Sequence, residues 1–334
     1  MKLIISHNRA ADFWRKVYPA QRRPFGSASV AALDSVELAS ASGEVWELAP
    51  SWVTPGFLKP ERGVLHVLSQ SHGDHCRSKT HMVHSCEAPL PEGSLYALSD
   101  DVYVCSPEFV FLQLAQTLDL VQLIAYGFEL CGSYAFDDQR ERGFRKRKVS
   151  LVTLAQLTQF VESVRGMRGR KRALEALRYI QDRSASPMET VCALFLSLPY
   201  RYGGYGLPQL LLNSRIDVPY SLRALCPKGF VRADLRVPGK PFVLEYLGGY
   251  DHAGYVPMQS DRGRTVVLRE MGYEVVELTS KQVWDLEAFE IIAKRVSKVF
   301  GKRIRSGELG SSNARMHLRF ALRAWNDASG RSIV

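Results

Sequence analysis

Three acidic residues in the C-terminal half are placed where they could do chemistry together. Asp234 lies in Arg232-Ala233-Asp234-Leu235, Glu245 lies in Val243-Leu244-Glu245-Tyr246, and Glu189 follows Ser186-Pro187-Met188. Pro238-Gly239-Lys240 sits between the first two at similar distances, so a hairpin turning there sets them close across a β ladder. Two carboxylates held together repel. Mg²⁺ relieves that repulsion, polarises a phosphate and activates water. Each acid also has a plainer reading. Ser186-x-x-Glu189 is a capping box. Asp234, between Arg232 and Arg236, suits an exposed strand face with ion pairs. Glu245 is harder to explain in this way, because residues 242–247 are otherwise apolar and a buried acid needs a partner.

The elements that must position these acids are legible from punctuation and period. Strands are expected at 64–68, 81–84, 94–98 and 102–104, with Pro and Gly between them. Ser106-Pro107-Glu108 opens a helix, with Ser as N-cap and Pro in the first turn. Further helices are expected at 121–130, 151–164 and 170–180, and a weak helical stripe (Val30, Leu33, Val36, Leu38) runs through 28–43. From 186 the order is a helix to about 198, a hairpin of strands 230–237 and 242–247, a helix at 259–271, a strand at 273–278, and a helix at 286–300. A strand after a crossover helix implies a parallel partner, hence a mixed sheet and an α/β fold.

The chain has 334 residues, of which 46% are hydrophobic and 23% charged. Such a composition excludes disordered and collagen-like classes, and the length implies more than one domain. No apolar run approaches the ~20 residues of a membrane span. The six cysteines are scattered with no C-x-x-C pair, and the first residues lack a long apolar centre, so a reduced, cytoplasmic protein is expected. The net charge of +10 is uneven. Residues 140–178 hold twelve Lys/Arg against three acids, and residues 294–305 hold six with none, so the remainder is net acidic. A concentrated basic stretch suits a nucleic-acid backbone, and Arg145, Lys146, Arg147, Lys148, Arg168, Arg170, Lys171 and Arg172 are its candidate contacts. The plainer alternative is a solvated helix face and linker.

The order Glu189, Asp234, Glu245 resembles the PD-(D/E)XK nuclease superfamily. The closer likeness is to proteins related to the very-short-patch repair endonuclease, over about 165–285. It rests on Leu244-Glu245-Tyr246-Leu247-Gly248-Gly249-Tyr250-Asp251-His252 and on Ser260-Asp261-Arg262. The resemblance implies a restriction-endonuclease-like mixed sheet flanked by helices. It also implies Mg²⁺ or Mn²⁺ at Asp234 and Glu245, assistance from Glu189, and DNA as partner. Leu247 departs from the pattern, since it stands where a lysine or acid would fall and can neither hold a metal nor move a proton. His252 is the candidate proton shuttle in its place, and Arg262, with Arg264, a candidate phosphate contact. Cys105-Ser106-Pro107-Glu108 and the helix after it resemble AbiEi-like antitoxin or regulator proteins, and Arg165-Gly166-Met167-Arg168-Gly169 resembles their joining segment.

The expected division is a smaller α+β regulator-like domain over 1–139, a basic helical linker over 140–185, a nuclease-like domain over 186–305, and a tail or helix over 306–334. Two functions follow: a Mg²⁺-dependent DNA endonuclease, or a catalytically inactive regulator that uses the same fold to bind DNA or a protein partner. Five of the eight histidines fall within 66–84, beside Cys76 and Cys86. His72-x-x-His75-Cys76 and His81-x-x-His84 raise zinc. Gln70-Ser71-His72-Gly73-Asp74-His75 resembles a metallo-β-lactamase motif lacking its first histidine. The favoured reading is a β region with a His-rich polar face and no zinc.

Overall fold

The computed structural model describes residues 3–17, 64–69, 81–86, 88–247, 259–304 and 309–328. The stripe at 28–43 lies outside them. The chain divides into two compact units, residues 1–131 with 135–180 and 326–334, and residues 132–134 with 181–325. Helices flank mixed sheets, so the class is α/β.

The first unit opens with β1 (Leu3–Ile5) and α1 (His7–Asp12), which runs into a π-helical turn over Phe13–Val17. Then come β2 (Leu65–Ser69), β3 (His81–Ser85), β4 (Leu95–Ala97) and β5 (Val102–Cys105). The sheet order is β3-β2-β1-β5-β4. β1 is its middle strand, parallel to β5 through Leu3↔Val102 and Ile5↔Val104, and antiparallel to β2. Nothing in the sequence announces β1, because three apolar residues carry no period of their own and become a strand only against distant partners.

α2 (Pro107–Leu114) begins as its punctuation predicts: Ser106 Oγ accepts from the Phe109 N–H at 3.2 Å, and Pro107 fills a position whose N–H would have no helical acceptor. α3 (Leu120–Cys131), β6 (Tyr134–Phe136), β7 (Phe144–Lys146), α4 (Leu154–Ser163) and α5 (Arg170–Leu177) follow. α4 packs on α2, and α5 on α3. Of the segment expected as a linker, residues 140–180 belong to the first unit, where α4 and α5 bury Leu157, Val161, Ala173 and Ala176, and 181–185 belong to the second. Gly169 permits this packing. Its φ is +87°, and a Cβ there would stand 2.7 Å from the Leu112 carbonyl oxygen.

The second unit begins with α6 (Pro187–Ser197) and the strands β8 (Leu211–Asp217), β9 (Phe230–Arg236) and β10 (Phe242–Tyr246). α7 (Gln259–Glu270) then leads to β11 (Glu274–Leu278). The sheet order is β11-β10-β9-β8, antiparallel except that β11 runs parallel to β10. α7 is the crossover this requires, and Val267 and Leu268 join Val231, Ala233 and Val243 in the core. α8 (Ser280–Trp284), α9 (Leu286–Val299) and α10 (Leu309–Ala328) complete the chain. α10 docks through arginines at four-residue spacing. Arg315 lies 4.5 Å from the Tyr205 ring centre, Arg319 lies 4.4 Å from that of Phe195, and Arg323 lies 5.3 Å from that of Trp284. Gly203 makes room, since a Cβ there would stand 2.1 Å from the Ala314 carbonyl oxygen.

Glu129 of α3 is a carboxylate buried in the first unit. Arg15 grips both its oxygens, with Nε at 2.9 Å and Nη2 at 2.6 Å, and both residues are buried. Removing one partner would leave an uncompensated charge. Glu129→Ala should therefore lower stability by about 3–5 kcal/mol. Chemical denaturation followed by circular dichroism measures this, and Glu129→Gln should cost less.

Candidate functional site

The expected acid pair forms on the central strands of the second unit. β9 and β10 pair through Arg236↔Val243 and Leu235↔Leu244. The next rung would set Asp234 opposite Glu245, and there side chains replace the ladder. The Asp234 N–H donates to Glu245 Oε1 at 3.3 Å, and the Tyr246 N–H donates to Asp234 Oδ2 at 2.9 Å. The break continues on the other side of Asp234. β8 and β9 pair at Leu212↔Leu235 and Ser214↔Ala233, and Asn213 between them has φ +43°, a left-handed conformation that Asn tolerates better than most residues. On the β8 side the pairing resumes at Ser214↔Ala233, whereas the β9–β10 pairing ends at Leu235↔Leu244.

Glu245 is 1% exposed, and its charge is met by Arg264 of α7, whose Nη2 stands 2.9 Å from Glu245 Oε2. Arg264 lies one turn before Val267 and Leu268, on the stripe that α7 turns to the sheet. A basic residue on a buried stripe, facing an apolar strand with one acid, is the signal that names this partner. Tyr246, through its N–H, and Asn213, through its backbone angle, gave no such signal.

Glu189 serves its helix. Ser186 Oγ accepts the Glu189 N–H at 3.2 Å, and the carboxylate turns back to accept from the Ser186 hydroxyl at 3.0 Å and the Ala185 N–H at 2.8 Å. Its helix, α6, packs against β9, the strand that carries Asp234. The thiol of Cys192 on α6 is pushed up first by burial, then by the carboxylates of Glu189 and Asp234. The Leu247 N–H donates to the Leu278 carbonyl at 2.8 Å, extending the β10–β11 pairing by one residue. His252 lies outside the described residues, as does the side chain of Arg262.

The basic stretch splits in two. Along 145–148 the chain alternates: Lys146 and Lys148 face solvent, whereas Arg145 and Arg147 turn in. Arg147 is buried, donates to the Trp14 carbonyl at 3.1 Å and the Glu129 carbonyl at 3.4 Å, and is pushed down to about 10, mainly by burial. Arg145 donates to the Arg15 carbonyl at 2.7 Å. Arg170 donates to the carbonyls of Val161 and Glu162, and Arg172 to those of Ala115 and Leu118. An unbroken phosphate grip through all these residues is thus corrected, because four arginines hold their own unit together. Lys146, Lys148, Arg168 and Lys171 are exposed.

His72, His75 and Cys76 lie outside the described residues. His66 Nδ1 stands 2.8 Å from His84 Nε2, and the His7 ring stacks on His84 at 3.6 Å and 16°. Among the described residues no group of three His, Cys, Asp or Glu is arranged to hold a metal ion. Burial, then His66, pushes His84 down to about 4. Burial followed by the two other rings lowers His7, and burial followed by Arg9 lowers His66. All three are therefore favoured neutral in the folded state. The unfolded chain takes up these protons near the ordinary value of 6.5 and the folded chain only lower, so stability is full above about pH 6.5 and falls toward pH 4. Melting temperatures across that range should show the fall, and His84→Gln should flatten it.

Among protein-family models, curated proteins and solved structures, none matches this chain.

Proposed function

We propose that the protein binds nucleic acid and that its second unit is a PD-(D/E)XK-like nuclease domain acting on DNA, with Asp234 and Glu245 as the residues that would hold Mg²⁺ or Mn²⁺. The observation that carries this reading is the pair itself: two acids side by side on the central strands, at a level where Asp234 is paired in neither the β8–β9 nor the β9–β10 ladder. The succession of α6, three antiparallel strands, a crossover helix and a parallel strand supports the same likeness.

The donors suit the ion. Mg²⁺ takes hard oxygen ligands and is often held by one or two carboxylates plus substrate phosphate. When bound, it would polarise a phosphate oxygen and lower the pKa of a water. The chain's own residues do the rest. The Asp234 and Tyr246 N–H groups fix the carboxylates, and Arg264 offsets the charge of Glu245. Lys146, Lys148, Arg168 and Lys171 supply exposed positive charge for phosphates, without reading sequence.

A second reading, binding without cutting, is favoured by Arg264 and Leu247. The guanidinium already neutralises Glu245, and Leu247 brings no proton-transfer group to the place where the resembled enzymes carry a lysine or an acid. It makes the protein a DNA-binding regulator or one that takes a protein partner.

Supercoiled plasmid with Mg²⁺ or Mn²⁺ separates the two. Hydrolysis predicts nicking that Asp234→Asn and Glu245→Gln abolish while DNA affinity stays within about twofold, because neither acid grips phosphate. Binding alone predicts intact plasmid and a salt-sensitive gel shift indifferent to EDTA. Reversing Lys146 and Lys148 together should weaken the shift and reduce its salt slope by about one per lost phosphate contact. A chain that neither cuts nor shifts DNA overturns both.

A further inference from the structure

The first unit contains a cavity of about 460 Å³, within the usual range for small-molecule sites of ~300–1,000 Å³. It lies between β3, α2 and the turn Gly166-Met167-Arg168-Gly169. Asp234 and Glu245 do not line it, and of the basic residues assigned to DNA phosphates only Arg168 does.

Its walls combine three chemistries. Phe109, Leu112 and Met167 give an apolar lining, and the flat ring of His84, favoured neutral by its burial, stands beside them. Gln116 brings an amide with both donor and acceptor, and Arg168 brings a guanidinium. The side chains of Gln116 and Arg168 are exposed, and neither makes a hydrogen bond or ion pair among the described residues. Other polar groups nearby are in use. Gln113, for example, accepts the His7 N–H at 3.0 Å. Gly166 and Gly169, at φ +77° and +87°, shape the turn, and its close approach to α2 holds Arg168 at the cavity.

A Gln amide pairs with the edge of adenine, aromatic and imidazole rings pack on base faces, and an Arg fork fits phosphate. We propose that this cavity binds an adenylate unit, the base against Phe109, Met167 and His84, its edge at Gln116, and the phosphate at Arg168. The unit could come from free AMP or from the 5′-phosphorylated end of a nucleic-acid strand. Either source presents the same chemistry.

Calorimetric titration of the full chain with AMP, and with a short 5′-phosphorylated oligonucleotide beginning in adenosine, tests this. Saturable binding is expected, weakened about tenfold or more in Arg168→Ala and in Gln116→Leu, with melting temperatures unchanged because both side chains lie at the surface. Asp234→Asn, and reversal of Lys146 and Lys148 together, should bind AMP as the parent does, which separates this site from the proposed DNA-cleaving and DNA-gripping residues. If AMP binds and the oligonucleotide does not, the source is the free nucleotide. If the oligonucleotide binds and loses affinity without its 5′-phosphate, the source is the strand end. Failure of both probes to saturate at millimolar concentration, or binding unaffected by both substitutions, overturns the proposal.

Discussion

Glu245 is a full negative charge in a strand otherwise made to be buried, and the second unit is arranged around its neutralisation. An unpaired carboxylate at that depth costs several kcal/mol, more than a marginally stable fold can absorb several times over. The cation comes from α7, so the helix must seat with Arg264, Val267 and Leu268 toward the sheet. That seating directs the chain back to lay β11 parallel to β10. The remaining oxygen of Glu245 is met by the Asp234 N–H. One buried charge thus couples the position of the crossover helix to the irregularity in the sheet. The same coupling makes the level of Asp234 and Glu245 the polar spot in an apolar layer, which is the setting a metal site or an anion-handling site requires.

The first unit uses the same device with a different geometry. Glu129 draws Arg15 inward, and the surrounding carbonyls draw in Arg145 and Arg147. Arginine suits this role because its rigid fork meets carboxylate and carbonyl oxygens at once, on a less strongly hydrated cation than lysine. The consequence for charge is direct. Lysines of the basic stretch face solvent while several arginines are spent on architecture, so the surface offers phosphate a sparser array than the residue count implies.

Much of this was legible from the chain. Helices announced by their caps, such as α2 after Ser106 and α6 after Ser186, fall within a few residues of expectation, because their signals are local. The hairpin of β9 and β10 and the parallel β11 also follow from local pattern plus topology. β1 and β8 did not announce themselves. β1 has three residues and finds both partners far along the chain, while β8 carries Asn213 and Arg215 where a strand is expected to read cleanly. At the acid pair, the proximity of Asp234 and Glu245 was visible from their spacing about Gly239. The replacement of ladder bonds by side chains was not, since it depends on register. Alternation predicted nothing about Arg145–Lys148 until the strand was known, for a run of like charges reads the same from either face.

The docking of α10 on aromatic rings bears on the order in which the molecule can be made. Phe195, Tyr205 and Trp284 belong to elements translated well before residue 315, yet their outer faces are covered by Arg315, Arg319 and Arg323. During synthesis the second unit therefore passes through a stage in which its sheet can close while an aromatic flank remains bare. That stage ends when α10 leaves the ribosome and lays those arginines over the rings. A chain stalled before that point would present the flank as a sticky surface, and chaperone engagement would be concentrated there.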